Sequence, residues 1–337
     1  MMMNRTGALL AAACLALCAM APVWLDQGAL RLAGEVLLML AMAQMWNLLA
    51  GYTGLVSMGH QAFVGIGAYL LFFLSERWSL HPFALIPLAG VACALVAAVI
   101  APFLFRLRDA YFSIGMWVFA EIVYIVVSKT RELGQTSGVP LKAIRLVDVE
   151  TFARNTFWIA AVIALAATGG VYLLMRSRLG LGLMTVRDNE LAATSIGVDV
   201  WRNRLAAFVI SGAVCGLAGA THYMGAMYVA PEAAFDVNWV VAMMFIVIIG
   251  GIGSIEGPLI GTIIYFGLRE FFASFFALSG GWYLIAMGVV AVAVMLLAPR
   301  GLWGWAREHL GWHGLSVRRM PPMSIGDPDE KDDRLLP

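Results

Sequence analysis

Apolar runs long enough to cross a lipid bilayer recur along almost the whole chain, and they limit what this sequence can fold into. A helix needs about 20 apolar residues to span a hydrocarbon core roughly 30 Å thick. Hydrophobic residues make up 61% of the 337 positions and charged residues only 13%, whereas a water-soluble domain of this size needs far more charge to cover its surface. The sequence therefore predicts an all-α, polytopic integral membrane protein.

The apolar runs predict about 8 to 10 transmembrane helices. Residues 5–24 resemble a secretory signal, but the run continues to Trp24 and a second run follows closely, so we interpret it as a retained first span. The other runs lie at residues 29–50, 57–75, 83–104, 110–128, 156–175, 205–226, 237–250, 257–278 and 281–298. The third run is rich in glycine and the eighth is short, so broken or re-entrant segments are expected there, enclosed by protein or facing a water-filled cavity.

Basic residues near the ends of the runs predict the orientation. Arg5, the turn at 106–108, the loop 176–204 and the basic residues after 298 fall on one side if ten spans hold, and we assign that side to the cytoplasm. Charge does not place residues 129–155, but the parity of the crossings puts them outside.

Two regions follow from this pattern: a transmembrane domain at residues 1–305 and a cytoplasmic tail at 306–337. The tail becomes proline-rich and acidic from Pro321, which is typical of a largely disordered segment.

Several kinds of function are not indicated by the composition. The net charge of +1 gives no sign of nucleic-acid binding, and the histidines have no partners at metal-ligand spacing. None of the three lysines follows a glycine, so the chain has no phosphate-binding loop of its own and we expect it to bind no cofactor. The cysteines lie within apolar runs and are interpreted as small hydrophobic residues: Cys14, Cys18, Cys93 and Cys215.

The segment TVRDNELAATSIG at 185–197 is polar and helix-forming in a chain that is otherwise apolar. Its spacing predicts a short amphipathic helix in which Arg187 and Glu190, three residues apart, can pair. Gly197 is suited to end this helix in a left-handed conformation, and Asp199 to cap the next one. The predicted apolar stripe consists of Val186, Ala193, Ile196 and Val200.

Two interpretations of this amphipathic segment are open. It could lie flat in the lipid headgroup region, which requires bulky apolar residues opposite a lysine-rich face. It could also dock against another protein. The apolar side is small and residues 185–197 contain no lysine, so docking against a protein is favoured.

The motif E-L-A-A-x-x-x-G at 190–197 resembles the EAA loop of ABC-importer permeases, the coupling helix that inserts into a cleft of the ATPase subunit. Five further motifs, between residues 30 and 305, resemble the permeases of high-affinity branched-chain amino-acid importers. They are NLLAGYTGLVSMGHQAFVGIGAY (47–69), RLRDAYFSIGMWVFAEI (106–122), AAFVISGAVCGLAGA (206–220), IGGIGSIEGPLIG (249–261) and LAPRGLWG (297–304).

The resemblance implies a permease subunit of an ABC importer in the bacterial inner membrane, not an enzyme. Its expected partners are a second homologous permease, two ATPase subunits that use ATP and Mg²⁺, an external solute-binding protein that touches residues 129–155, and the lipid bilayer. The loop 176–204 is then the coupling loop. The residues implied in coupling are Arg187, Asp188, Glu190, Ala192, Ala193 and Gly197.

Departures from the family pattern leave alternatives open. Trp117 stands where a small residue is more usual, and Arg269 stands where proline is common. A urea or short-amide permease is built on the same scaffold, and an ion-coupled secondary transporter is the alternative from another class. Such a transporter has no use for a docking helix in the cytoplasm.

Rare polar groups and glycines within the apolar runs complete the set of candidates. Glu121 lies near the middle of its span, where an ionised acid costs about 2.5–3.5 kcal/mol, so it is expected to face protein or water, or to be protonated. Pro258 can open a half-helix whose free N–H groups face a solute carboxylate, although close packing is the simpler interpretation. Candidates for the translocation pathway are Asn47, Ser57, His60, Gln61, Trp117, Glu121, Gly253 and Ser254. For His60 a structural hydrogen bond is the favoured alternative. Candidates for close helix packing are Gly212, Gly216, Gly257 and Gly261.

Overall fold

The computed structural model describes residue 22 and residues 24–78, 80–141, 149–276, 281–298 and 301–310. Most of the predicted first span, Cys14, Cys18 and residues 311–337 of the predicted tail lie outside these described residues. The part of the chain that the structure describes is all-α apart from one pair of two-residue strands, which confirms the predicted fold class. The first residues of the predicted tail, up to Leu310, are helical.

Long helices form the body of the structure. They are α1 (Gln27–Thr53), α2 (Gln61–Trp78), α3 (Pro82–Leu104), α4 (Ala110–Lys129), α5 (Val149–Arg176), α8 (Val200–Ala226), α10 (Asn238–Gly250), α11 (Glu256–Phe276) and α12 (Gly281–Leu297). Shorter elements lie at their ends: β1 (Val139–Pro140), α6 (Arg178–Asp188), α7 (Glu190–Ser195), β2 (Tyr228–Val229), α9 (Pro231–Ala234) and α13 (Gly301–Leu310). Among the described residues, seven helical stretches are long and apolar enough to cross a membrane.

The two ends of the helical body differ in what they carry. The end with α6 and α7 is here called the inner end, and the end with β1 and β2 the outer end. At the outer end β1 pairs antiparallel with β2, with Val139 opposite Val229, so the loop after α4 is joined to the turn after α8. The side chain of Tyr228 donates a hydrogen bond to Ser137 O in the same loop.

The break predicted at the third run is found, whereas the eighth run is one continuous helix that ends at a turn. The third run becomes helical only at Gln61, because residues 54–60 are non-helical and return from the end of α1 into the body. Their backbone is partly satisfied by side chains: the Trp46 indole donates to Ser57 O and the Ser113 hydroxyl to Val56 O. The eighth run forms the 13-residue α10, which ends at Gly250 before a non-helical turn at 251–255.

The core lies where α2 and α3 pack against α8. Gly67 and Gly216 meet so closely that a β-carbon on Gly67 would lie 2.7 Å from Gly216 Cα. One turn earlier on α2, Phe63 packs edge to face against Phe208 of α8, with ring centroids 5.6 Å apart. Helices can approach this closely only where one or both lack a side chain, so the small residues of α8 hold three spans together.

Candidate functional site

The polar segment after α5 forms two short helices, so the prediction of one continuous helix was wrong. α6 ends at Asp188, and Asn189 takes up an extended conformation between α6 and α7. The Asn189 side chain accepts a hydrogen bond from Ala192 N at 3.0 Å, so it caps the N-terminus of α7. This cap turns the chain between the two helices and presents α7 as a separate unit.

The end of α7 has the geometry expected from the sequence. Gly197 has φ of +83°, in the left-handed region that glycine tolerates best. The Asp199 side chain then accepts a hydrogen bond from Arg202 N at 3.0 Å and caps α8. The loop that follows α7 is therefore short and fixed at both ends.

The charged side chains of this region do not pair as predicted. Glu190 forms an ion pair with Arg204 at 3.0 Å, which fixes α7 to the first turns of α8. Arg187 instead pairs with Asp188 at 2.9 Å and donates from Nη1 to Gly51 O at 2.8 Å. The predicted Arg187–Glu190 pair fails because the break at Asn189 ends the helical spacing that would bring them together.

The predicted apolar stripe is divided between the inside and the outside of the molecule. Val186 and Ala193 are buried against the body. Ile196, which was expected on the same stripe, is 71% exposed, and Leu191 is 80% exposed. Ala192 is also exposed, so α7 together with Ile196, the residue that directly follows it, presents two large aliphatic side chains and one small one away from its own chain.

Beside Arg187, two amides on α1 hold the turn 251–255. Asn47 accepts a hydrogen bond from Gly253 N and donates one to Ser254 O, each at 2.8 Å. One turn earlier, the Gln44 amide donates to Ile255 O at 2.8 Å. Asn47, Gly253 and Ser254, which were predicted as pathway residues, join α1 to the α10–α11 turn through these contacts.

One N–H group in the first turn of α11, that of Gly257, is bonded within the chain and is not available to a solute. The Ser254 hydroxyl accepts a hydrogen bond from Gly257 N at 3.0 Å and donates to Gly251 O at 2.7 Å. A β-carbon on Gly257 would lie 2.5 Å from Ser254 Oγ, and one on Gly261 would clash with Ile246 O. These contacts fit close packing of α10 against α11.

The other packing candidates lie on α8. A β-carbon on Gly216 would lie 2.7 Å from Cys93 Cβ on α3, and one on Gly212 would lie 3.1 Å from Ala97 Cβ. Both glycines therefore face α3. Cys93 on α3 and Cys215 on α8 are buried free thiols.

The polar residues around 57–61 lie in the interior. His60 is fully buried with Nε2 2.7 Å from Ser211 Oγ, and the Ser211 hydroxyl also donates to Met45 O. Ser57 is buried and its hydroxyl accepts from Gly59 N, while the Gln61 amide donates to Met58 O. These bonds connect the non-helical segment 54–60 to α1, α2 and α8.

Trp117 and Glu121 lie apart from this interior set, on the outward face of α4. Trp117 is 54% exposed and Glu121 is also exposed, one turn further along the helix. The remaining departure from the family pattern, Arg269, forms an ion pair with Glu35 at 2.7 Å and so joins α11 to α1.

Sequence reasoning missed several residues that build this site. They are Gln44 and Ser211, which bond to segments far away in the chain, and Arg204, which bonds to Glu190 of the neighbouring helix. In the sequence they are polar residues within or just beside apolar runs. The same feature identified Asn47 and His60 as candidates. Within the described residues there is no group of three His, Cys, Asp or Glu side chains that could hold a metal ion.

A bundle of long apolar helices with the two short helices α6 and α7 at one end defines a polytopic membrane protein. The chain belongs to the family described as branched-chain amino acid transport system / permease component, whose model matches residues 28–298. This confirms the family resemblance found in the sequence. A permease component is one part of a transport system, so other subunits act together with this multi-pass membrane chain.

Individual relatives agree with this family at low identity. The high-affinity branched-chain amino acid transport system permease protein LivM of Escherichia coli (strain K12) is 25% identical over 315 aligned positions, which cover 86% of this chain and 73% of that protein. The probable branched-chain amino acid transport permease protein LivH of Methanocaldococcus jannaschii is 24% identical over 255 positions, covering 71% of this chain and 80% of that protein. No solved structure matches.

Proposed function

We propose that this chain is one permease of a heterodimeric ABC importer that carries branched-chain amino acids across the bacterial inner membrane. ATP and Mg²⁺ are used by two separate ATPase subunits, and an external solute-binding protein delivers the amino acid near residues 129–155. The substrate follows from the family and from the relatives, whose names specify branched-chain amino acids. The division of work among subunits follows from the resemblance of 190–197 to a coupling helix.

The observation that carries the proposal is the exposed aliphatic surface of α7. Leu191 and Ile196 are 80% and 71% exposed at the inner end, although α7 itself is fixed by the Glu190–Arg204 ion pair. Large aliphatic side chains held rigidly in water are typical of a surface that a partner covers, because burying each one stabilises a complex by about 1.5–3 kcal/mol. We assign this surface to a cleft of the ATPase subunit.

The charges around α7 favour a protein partner over the lipid surface. Asp188 and Glu190 flank the surface, and residues 185–197 contain no lysine. The negative inner leaflet attracts Lys-rich and Arg-rich segments. Arg187, the one arginine within 185–197, is paired with Asp188, and Glu190 is paired with Arg204, so α7 offers the leaflet no free cationic side chain.

The experiment compares two α7 variants with a matched control in the whole transporter. Leu191→Ser and Ile196→Ser each remove an exposed aliphatic side chain from α7 or the residue after it. The control, Leu107→Ser, removes a leucine side chain that is 38% exposed in the turn between α3 and α4. All three changes lie outside the spans, so insertion and yield should match the wild type. We expect the α7 variants to lose co-purifying ATPase and ATP-driven uptake of labelled leucine, and the control to retain both.

Three results would contradict the proposal. Wild-type uptake that follows an ion gradient without ATP would establish a secondary transporter, and uptake of labelled urea in place of leucine would establish an amide permease. Retention of the ATPase by the Leu191→Ser, Ile196→Ser double variant would show that α7 is not the docking surface.

A further inference from the structure

Glu121 places an exposed carboxylate near the middle of a membrane-spanning helix. At 1.5 Å per residue it lies about 16 Å from Ala110 and about 12 Å from Lys129, the two ends of α4. Within the part of the chain that the structure describes, its carboxylate has no hydrogen bond or ion pair. Acidic residues at this depth almost always face protein or a water-filled cavity, so the exposed face of α4 is not a lipid surface in the assembled transporter.

The surroundings of Glu121 on this face are apolar. Trp117, one turn toward the inner end, is 54% exposed. Ile114, Val118 and Ile125 are also exposed on α4. One carboxylate within an aromatic and aliphatic surface complements a small molecule that carries a cationic group beside an aliphatic chain, as an aliphatic amino acid does at neutral pH.

The N-terminal half of α4 is connected to the inner end of the molecule. Ser113 donates to Val56 O at 2.6 Å, and a β-carbon on Gly59 would clash with Met116 O, so α4 packs tightly on the segment 54–60. That segment directly follows the end of α1, where Arg187 of α6 bonds to Gly51 O. A displacement of α6 can therefore reach α4 through contacts between backbone and side chains.

We propose that Glu121 binds the ammonium group of the transported amino acid in a pathway between α4 and the second permease, with Trp117 against the aliphatic side chain. This inference rests on the proposed function. It assigns recognition of the amine to this chain. It places the contact on α4, which packs on the segment 54–60 that follows the end of α1.

The first test measures ATP-driven leucine uptake in proteoliposomes that contain the whole transporter and its binding protein. Glu121→Gln keeps the size of the side chain but removes its charge. Because a hydrogen bond to a charged group is worth more than a neutral one, we expect kcat/KM for leucine to fall by about 10- to 100-fold. ATP hydrolysis stimulated by the loaded binding protein should stay near the wild-type rate, since α6 and α7 are unchanged.

The matched control is Glu270→Gln on α11, which also removes an exposed carboxylate from a membrane helix. Glu270 bonds to Ser274 of its own helix, so leucine uptake should be unchanged. Wild-type uptake by Glu121→Gln overturns the proposal. Loss of the second permease from purified Glu121→Gln transporter also overturns it, because Glu121 would then be an ion-pair residue of the subunit interface.

A second test does not depend on which solute is transported. Glu121→Cys and Val126→Cys are compared in membranes after the four native cysteines are replaced by alanine; Val126 is 58% exposed on another side of α4. A water-soluble, ammonium-bearing thiol reagent should label Cys at 121 faster than Cys at 126, and leucine should slow the labelling at 121. Labelling at 121 only by a lipid-soluble maleimide, or no labelling at all, overturns the pathway assignment.

The two tests separate failure of this inference from failure of the proposed function. If wild-type protein imports no leucine with ATP, the proposed function fails, and rapid aqueous labelling at 121 then still supports a pathway along α4. If wild-type protein imports leucine but 121 is inaccessible and Glu121→Gln is fully active, only the present inference fails.

Discussion

Replacing Asn47 with alanine tests whether the α10–α11 turn is held by α1. The Asn47 amide is fully buried and makes two hydrogen bonds of 2.8 Å, one from Gly253 N and one to Ser254 O. Each buried group left unpaired costs about 1–3 kcal/mol, so two cost about 2–6 kcal/mol. Gly253 and Ser254 are only half-buried, so water can relieve part of this cost, and we expect about 2–3 kcal/mol.

The free energy of unfolding can be measured by titrating the purified protein with SDS in mixed micelles. Asn238→Ala is the matched control, because Asn238 is exposed at the outer end and its side chain bonds to the neighbouring Asp236. The control should change stability by less than about 0.5 kcal/mol. If Asn47→Ala is no less stable than Asn238→Ala, the two hydrogen bonds do not hold the turn and the reasoning is refuted.

The same substitution should also affect function. Asn47 lies one turn before Gly51, the residue that accepts the hydrogen bond from Arg187. A loosened turn should lower leucine uptake per ATP hydrolysed while basal ATP hydrolysis continues. Equal coupling ratios for the variant and the wild type would show that the turn plays no part in transmission.

Three further substitutions test packing, backbone strain and a buried hydrogen bond. Gly216→Leu should abolish the yield of folded protein, because a β-carbon at this position would lie 2.7 Å from Cys93 Cβ. Gly267→Leu is the control and should give a normal yield, because a β-carbon there has no neighbouring atom within 4 Å. Gly197→Val should cost about 1–2 kcal/mol because φ is positive there, and should lower ATPase co-purification without affecting insertion. Ser211→Ala removes the hydroxyl beside His60 and should cost about 1–3 kcal/mol in the same SDS titration, with normal stability as the contrary result.

The spans were predictable because their signal is local. A run predicted at 29–50 is α1 at Gln27–Thr53, and one predicted at 257–278 is α11 at Glu256–Phe276. The run predicted at 205–226 begins earlier, at Val200, since the first turn of α8 carries arginines that lower its hydropathy. Hydropathy detects the part of a helix that lies in lipid, so polar ends that continue beyond it are lost.

The contacts within the site were less predictable, because they depend on where each helix ends and on which distant segment then lies beside it. Helical spacing suggested an Arg187–Glu190 pair, and only the cap at Asn189 separates them. Nothing local shows that Asn47 and Gly253 meet, since their positions in the chain are 206 apart. Sequence reasoning identified most of the polar residues at depth, but it could not assign their partners.

The contacts around Gly51 suggest how a push on α7 reaches the membrane body. Arg187 bonds to Gly51 O, and a β-carbon on Gly51 would lie 2.6 Å from Gly253 N, so α6, α1 and the turn 251–255 meet with no free space. Close-packed contacts move between discrete arrangements and do not deform gradually. A shift of α6 must therefore either break the Arg187 bond or carry the end of α1 with it, and with α1 the segment 54–60 on which α4 rests. In the proposed importer, the face that carries Glu121 would then change its position relative to the second permease, as alternating access requires.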